Sequence, residues 1–154
     1  MTRGAAAVVL LMAGCGSIPQ PLKTYEGPAL PAHAVAHIAG VPRGDQGGVF
    51  IVCIDGVSLE RQWGAYDNNS RWPDQVAVAP GRHYLAVVYS LFRGKRAWWV
   101  NLELTAEAGH HYAIRSDAPQ GDWIEMQAQD SATGKVVATA MPRRGRLKSV
   151  DPCP

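Results

Sequence analysis

Two neighbouring stretches decide the fold: Gly81-Arg-His-Tyr-Leu-Ala-Val-Val-Tyr-Ser-Leu-Phe92 and Ala97-Trp-Trp-Val-Asn-Leu-Glu-Leu-Thr105. In the second, Trp98, Val100, Leu102 and Leu104 alternate with Trp99, Asn101 and Glu103. That period of two sets one row of side chains into a core and the other outside it. In the first, residues 84–92 are apolar on both faces, as a central sandwich strand requires. Neither stretch repeats every 3.6 residues.

The same alternation continues outward in both directions. Residues 49–54 form a β-branched and aromatic run closed by the turn pair Asp55-Gly56. Val76 and Val78 alternate before Pro80-Gly81. Tyr112 and Ile114 alternate with Ala113 and Arg115, and Ile124, Met126 and Ala128 alternate with Glu125, Gln127 and Gln129. Thr133-Gly134 then turns into a strand over 135–140. Residues 34–38 fit one more strand, although the Ala-rich run 32–39 fits a short helix as well. The 16 glycines and 11 prolines favour many turns over long helices. The pattern predicts a two-sheet antiparallel β-sandwich of seven or eight short strands over residues 32–141.

Residues 1–14 read as an export signal. Arg3 supplies the positive start, and Ala5 to Ala13 is an apolar run of nine residues, well short of the ~20 that span a bilayer. Ala13-Gly14-Cys15 resembles the lipobox of bacterial lipoproteins, with Met12 where leucine is usual. The resemblance implies cleavage before Cys15, lipidation of Cys15 and anchoring in a membrane. Gly16 lacks the aspartate that favours inner-membrane retention, so the expected address is the outer membrane, facing the periplasm. Pro19, Pro21, Pro28 and Pro31 make residues 15–31 a tether, up to about 50 Å long if fully extended.

Without the signal, 140 residues suit one domain. Lys and Arg total 15 against 13 Asp and Glu, and Arg3 is the only charged residue before Cys15. The mature chain therefore carries a single net positive charge, which gives nucleic acid no electrostatic footprint. With 47% apolar and 18% charged residues, most of the chain has the composition of a folded protein.

Two turns share a spacing. Val78-Ala-Pro-Gly-Arg-His-Tyr84 and Ala106-Glu-Ala-Gly-His-His-Tyr112 each set a tyrosine three residues after glycine. Such a tyrosine can fold its hydroxyl back onto the turn, as in the tyrosine corner of immunoglobulin-like sandwiches. The first match resembles the corner of fibronectin type III domains. The alternative is two hairpin glycines, each followed by a core tyrosine.

Together with Ile-Asp-Gly at 54–56, Pro-Gly-Arg-His-Tyr-Leu-Ala-Val at 80–87 and Glu-Ala-Gly-His-His-Tyr-Ala-Ile at 107–114 resemble small bacterial lipoproteins carrying a PEGA-like sandwich. The resemblance spans about residues 49–140. It implies a sandwich of unassigned function working in envelope binding or assembly, with no active site to carry over.

Catalytic signatures are missing from the sequence. It has no Gly-x-Ser-x-Gly, His-Glu-x-x-His, phosphate-binding glycine loop or Cys-x-x-Cys. No catalytic residue, cofactor or metal is expected. The rival metal reading needs His83 to meet His110 or His111; His110 and His111 are adjacent and point to opposite faces if both are on a strand. Asp55, Asp67, Asp74, Asp117 and Asp122 fall at expected turns, where aspartate caps backbone amides.

With Cys15 lipidated, Cys53 and Cys153 remain as a pair in an oxidising compartment. A disulfide is the expectation, and a buried thiol with a loose Cys153 is the alternative. Trp63, Tyr66 and Trp72 lie within 59–75 among Arg61, Asp67, Asn68, Asn69 and Arg71. Rings beside polar donors suit a protein or glycan partner, or the rings cap the open end of the sandwich. Parity puts Trp98 inside and leaves Trp99 as an exposed-aromatic candidate. Arg143, Arg144, Arg146 and Lys148 make 142–154 a basic tail, fit for lipid phosphates or for solvent. The expected function is a lipid-anchored, non-catalytic binding or scaffold module. An inhibitor or immunity protein using the Trp63–Trp72 loop, and a histidine-based metal protein, are the alternatives.

Overall fold

The computed structural model describes residues 21–41, 47–59, 73, 75–91, 97–117, 119–121, 123–140 and 153. Cys15, Trp63, Tyr66, Trp72, the expected signal at 1–14 and the basic tail (apart from Cys153) lie outside them. Ten strands occur among the described residues, in two sheets. They are β1 (Leu22–Lys23), β2 (Ala36–Gly40), β3 (Gly47–Ile54), β4 (Val57–Ser58), β5 (Gln75–Val78), β6 (Gly81–Leu91), β7 (Ala97–Ala106), β8 (His111–Ser116), β9 (Met126–Asp130) and β10 (Val136–Ala140). Leaving out the two-residue β1 and β4, eight strands make the expected β-sandwich.

The larger sheet runs β1-β5-β2-β8-β9-β10 and the smaller β4-β3-β6-β7. The alternation read from the sequence becomes the core. Trp98, Val100, Leu102 and Leu104 of β7 and Leu85, Val87 and Tyr89 of β6 face Ile38, Val76, Val78, Tyr112, Ile114, Met126 and Ala128 of the other sheet. Trp98 packs against Tyr89 with the rings tilted by 51° and their centres 5.9 Å apart. Burying each large side chain here contributes about 1.5–3 kcal/mol.

Four expectations change. The pairing is not wholly antiparallel: β2 runs parallel to β8 and β1 parallel to β5. Between β2 and β8 the chain visits the other sheet twice, as β3–β4 and as β6–β7, and returns once to the larger sheet as β5. The expected tether over 15–31 is also partly sandwich, because Leu22 and Lys23 pair with Val76 and Ala77, and Thr24 N donates to Ala77 O at 3.0 Å. That pairing covers an edge of β5 that would otherwise present bare amides and carbonyls. The Ala-rich run divides into a 3-10 turn at Ala32–Ala34 and a strand from Ala36. Finally, β6 and β7, at 11 and 10 residues, are longer than the expected short strands.

Two local features place the side chains that matter below. Asp55 (φ 50°) and Gly56 (φ 78°) both take positive φ in the β3–β4 hairpin, the conformation a two-residue hairpin turn demands. Between Ile51 and Cys53 the register of β3 against β6 slips: Ile51 opposes Val87 and Cys53 opposes Ala86. Val52 is thus the extra residue of a β-bulge. The slip turns Ile54 into the core with Val49 and Ile51, and sends Cys53 to the outer face.

Candidate functional site

At the β5–β6 and β7–β8 turns, two of the places where the chain crosses between sheets, a side chain ties the strand back to the turn, but the two side chains differ. In the second turn Tyr112 faces the core, 3% exposed, and its hydroxyl accepts a hydrogen bond from Glu107 N at 3.0 Å. Burial is the main cause that raises its pKa above the ordinary tyrosine value. In the first turn Tyr84 is 54% exposed and makes no such bond, which corrects the expectation of a corner there. Leu85, Val87 and Tyr89 hold the core register of β6, so His83, and not Tyr84, shares their side of the strand. His83 Nε2 lies 2.7 Å from Ala79 O, and Nδ1 lies 2.7 Å from Asp55 Oδ2. Asp55 Oδ1 accepts from Tyr84 N at 2.8 Å, and Asp55 N donates to Tyr84 O. Both ring partners of His83 are acceptors, so the imidazole joins the β3–β4 hairpin to the β5–β6 turn.

A second histidine closes the end of the sandwich at the β7–β8 turn. Asp130 continues the core-facing row of β9 and is only 4% exposed. Its Oδ2 accepts from His110 Nδ1 at 2.6 Å; its Oδ1 accepts from Ala132 N, Thr133 N and Thr133 Oγ1. The His110 bond, followed by the Thr133 amide, holds the carboxyl down at about 2. The same bond raises His110, whose Nε2 also stands 3.6 Å from Glu107 Oε2. On the outer face of the larger sheet, His37 and His111 are register partners of β2 and β8, stacked with ring centres 4.7 Å apart. Burial, and then the neighbouring His111, lower the pKa of His37.

His83 is therefore not brought to His110 or His111, as the rival metal reading needs. His83 belongs to the smaller sheet and its nitrogens are engaged, while His110 is taken by Asp130. Among the described residues no group of three or more His, Cys, Asp or Glu is placed to hold a metal ion.

The outer face of the smaller sheet differs in character. Tyr84 opposes Glu103, Ala86 opposes Asn101, and Val88 opposes Trp99. These residues share that face with Cys53. Trp99 lies there as parity predicts, but it is half-buried rather than exposed. Cys53 is bonded to Cys153, with Cα atoms 5.5 Å apart. A cleft of about 630 Å³ opens beside this bond, at the hairpin end of the sheet, with Asp55, Tyr84, Asn101 and Glu103 among its lining residues. Arg82 spans the rim. Its Nε is 2.6 Å from Glu103 Oε1, and its guanidinium sits 5.2 Å from the centre of the Tyr84 ring.

The sequence reading singled out neither Asp130 nor the Asp55–Tyr84–Asn101–Glu103 group. For Asp130 a signal exists: Asp-Ser-Ala-Thr-Gly is the composition of a turn whose first aspartate caps the next amides. For the cleft none exists, because its members come from a hairpin turn and two strands far apart in sequence. No protein-family model, curated protein or solved structure matches this chain.

Proposed function

We propose that this chain is a lipid-anchored envelope lipoprotein facing the periplasm, which works as a non-catalytic binding module. The observation that carries the binding role is the cleft on the outer face of the smaller sheet. It presents an exposed aromatic ring, an amide and two carboxylates at one place. The side chains with the most chemistry elsewhere, His83, His110 and Asp130, are bonded into the two turns and hold the fold. A cleft of this size and mixed lining suits recognition of a ligand or of a protruding part of a partner.

The address rests on residues 1–15, with the apolar run of nine residues followed by Ala13-Gly14-Cys15. Acyl chains contribute about 0.8 kcal/mol per buried methylene, so two or more of them hold a protein firmly on a bilayer. Because β1 begins at Leu22, the chain from Cys15 to the sandwich reaches at most about 25 Å. On this reading the body stays close to the membrane surface instead of ranging across the periplasm.

The full precursor expressed in a Gram-negative host tests the address. Metabolically supplied palmitate is expected to label the protein and to follow it into the outer-membrane fraction. The Cys15→Ala variant is expected to lose both label and membrane. An unlabelled native chain in the cytosol would end this reading.

A further inference from the structure

We infer that the cleft beside the Cys53–Cys153 bond is a binding site for a neutral oligosaccharide, with Tyr84 as its stacking platform. The inference rests on the binding-module reading and names the class of ligand.

Three features of the cleft point to sugar. The first is the ring. Tyr84 is 54% exposed on a strand paired on both sides, β3 on one and β7 on the other, so its backbone is fixed. Arg82 lies against the ring at 5.2 Å and its guanidinium also engages the Tyr84 hydroxyl, which steadies the ring. An aromatic surface held rigidly in water suits a ligand that is apolar on one flat side and polar round its rim. A pyranose has that form, with axial C–H groups on one face and hydroxyls at the edge.

The second feature is charge balance. Glu103 is compensated by Arg82 at 2.6 Å, and Asp55 is bonded to His83 and to Tyr84 N. The carboxylates are therefore poor anchors for a free cation, and Arg82 is a poor anchor for an anion. A neutral ligand avoids displacing either pair.

The third is the stock of unused hydrogen-bonding capacity. A carboxylate has about four lone-pair directions. Asp55 uses two and Glu103 one in the bonds named above. Asn101 is exposed, two residues along β7 from Glu103 on the same face, about 7 Å away. Its amide brings two donors and an acceptor. Acceptors on one side and a mixed donor–acceptor on the other match hydroxyls, which both donate and accept. A peptide backbone would instead seek an open strand edge, and this cleft lies on a sheet face.

Titration of the full mature chain, held in detergent micelles, tests the inference with three neutral probes followed by calorimetry: chitotetraose, cellotetraose and maltotetraose. At least one is expected to bind, and the three arms separate N-acetylhexosamine polymers from β- and α-glucans. Tyr84→Ala is expected to weaken binding roughly tenfold and Asn101→Ala roughly fivefold. Both side chains are exposed, so the melting temperature is expected to hold in each; if one variant unfolds, the other still decides. Binding to none of the probes at millimolar concentration overturns the inference. So does binding that both variants leave unchanged, or a preference for oligogalacturonate over every neutral probe. A chain that is acylated and membrane-bound but takes up no sugar sinks this inference and leaves the proposed address intact. An unacylated chain that still binds sugar through Tyr84 does the reverse.

Discussion

Asp130 accepts four hydrogen bonds, and only the one from His110 depends on a proton that comes and goes near neutral pH. That bond, with the Thr133 and Ala132 bonds behind it, holds Asp130 at about 2, below the ordinary 3.8, and it raises His110 above the ordinary 6.5. A depressed carboxylate adds stability above its unfolded value and loses it as pH falls; a raised histidine adds stability below its unfolded value and loses it as pH rises. The pair therefore stabilises most between roughly pH 4 and pH 6.5. Asp130→Asn is expected to lower the melting temperature most inside that window, with the gap to the native chain narrowing on either side. Thermal scans across pH check it, and a gap constant at every pH would reduce Asp130 to a turn cap. The two tyrosines give a second comparison. Tyr112→Phe leaves Glu107 N without its acceptor and is expected to cost about 1 kcal/mol in urea unfolding. Tyr84→Phe is expected to stay within about 0.5 kcal/mol of the native chain. Both tyrosines follow glycine at the same spacing, yet their fates were unequally legible. Tyr112 and Ile114 alternate with Ala113 and Arg115, which fixes the side the tyrosine takes. Residues 84–92 are apolar on both faces, so sequence parity there is silent, and His83 takes the inward row unannounced.

At the scale of elements, period-two alternation located β7, β8 and β9 because each has one wet face and one dry face. It gave no warning of the bulge at Val52, since 49–54 is apolar throughout and tolerates either register. Yet the bulge decides which side of β3 bears the disulfide and the cleft. Parallel pairing of β2 with β8 was illegible for a related reason: alternation reports faces, not neighbours. The crossing from β2 towards β3 shows how tightly the two sheets meet. A Cβ added to Gly40 would stand 2.0 Å from the Val49 carbonyl oxygen, and that oxygen belongs to backbone that cannot swing aside. Gly40→Ala is therefore expected to destabilise the sandwich by about 3 kcal/mol, as overpacking does when the neighbour cannot move. Gly121→Ala makes a useful contrast, because no atom lies within 4 Å of the Cβ it would add and only its φ of +65° resists. Its loss is expected to be smaller, about 1 kcal/mol, and equal losses in chemical denaturation would show that crowding at Gly40 is relieved elsewhere.

Across the whole molecule, one covalent bond joins the third strand to the last described residue. Cys53 and Cys153 are 100 residues apart in sequence, so the bond encloses β4 to β10. The fold itself does not need the bond to bring its sheets together, since the core is continuous across β2, β3 and β5 to β9. Its effect falls on the unfolded chain. Tying two points 100 residues apart removes conformations from that ensemble, and the chain-entropy relation sets an upper value of about 4.7 kcal/mol. Cys153→Ser is expected to lose a large part of that and to lower the urea midpoint. A reductant is expected to shift the native chain to the same midpoint and to leave the variant where it is. If the contribution is entropic, the native chain unfolded with the bond intact is also the more compact, and its unfolding m-value is smaller than that of the variant. Equal midpoints for variant and native chain would mean that the bond restrains nothing the core has not already restrained. The fold would then stand on its alternating strands alone, and the bond would matter only for the wall it lends to the cleft.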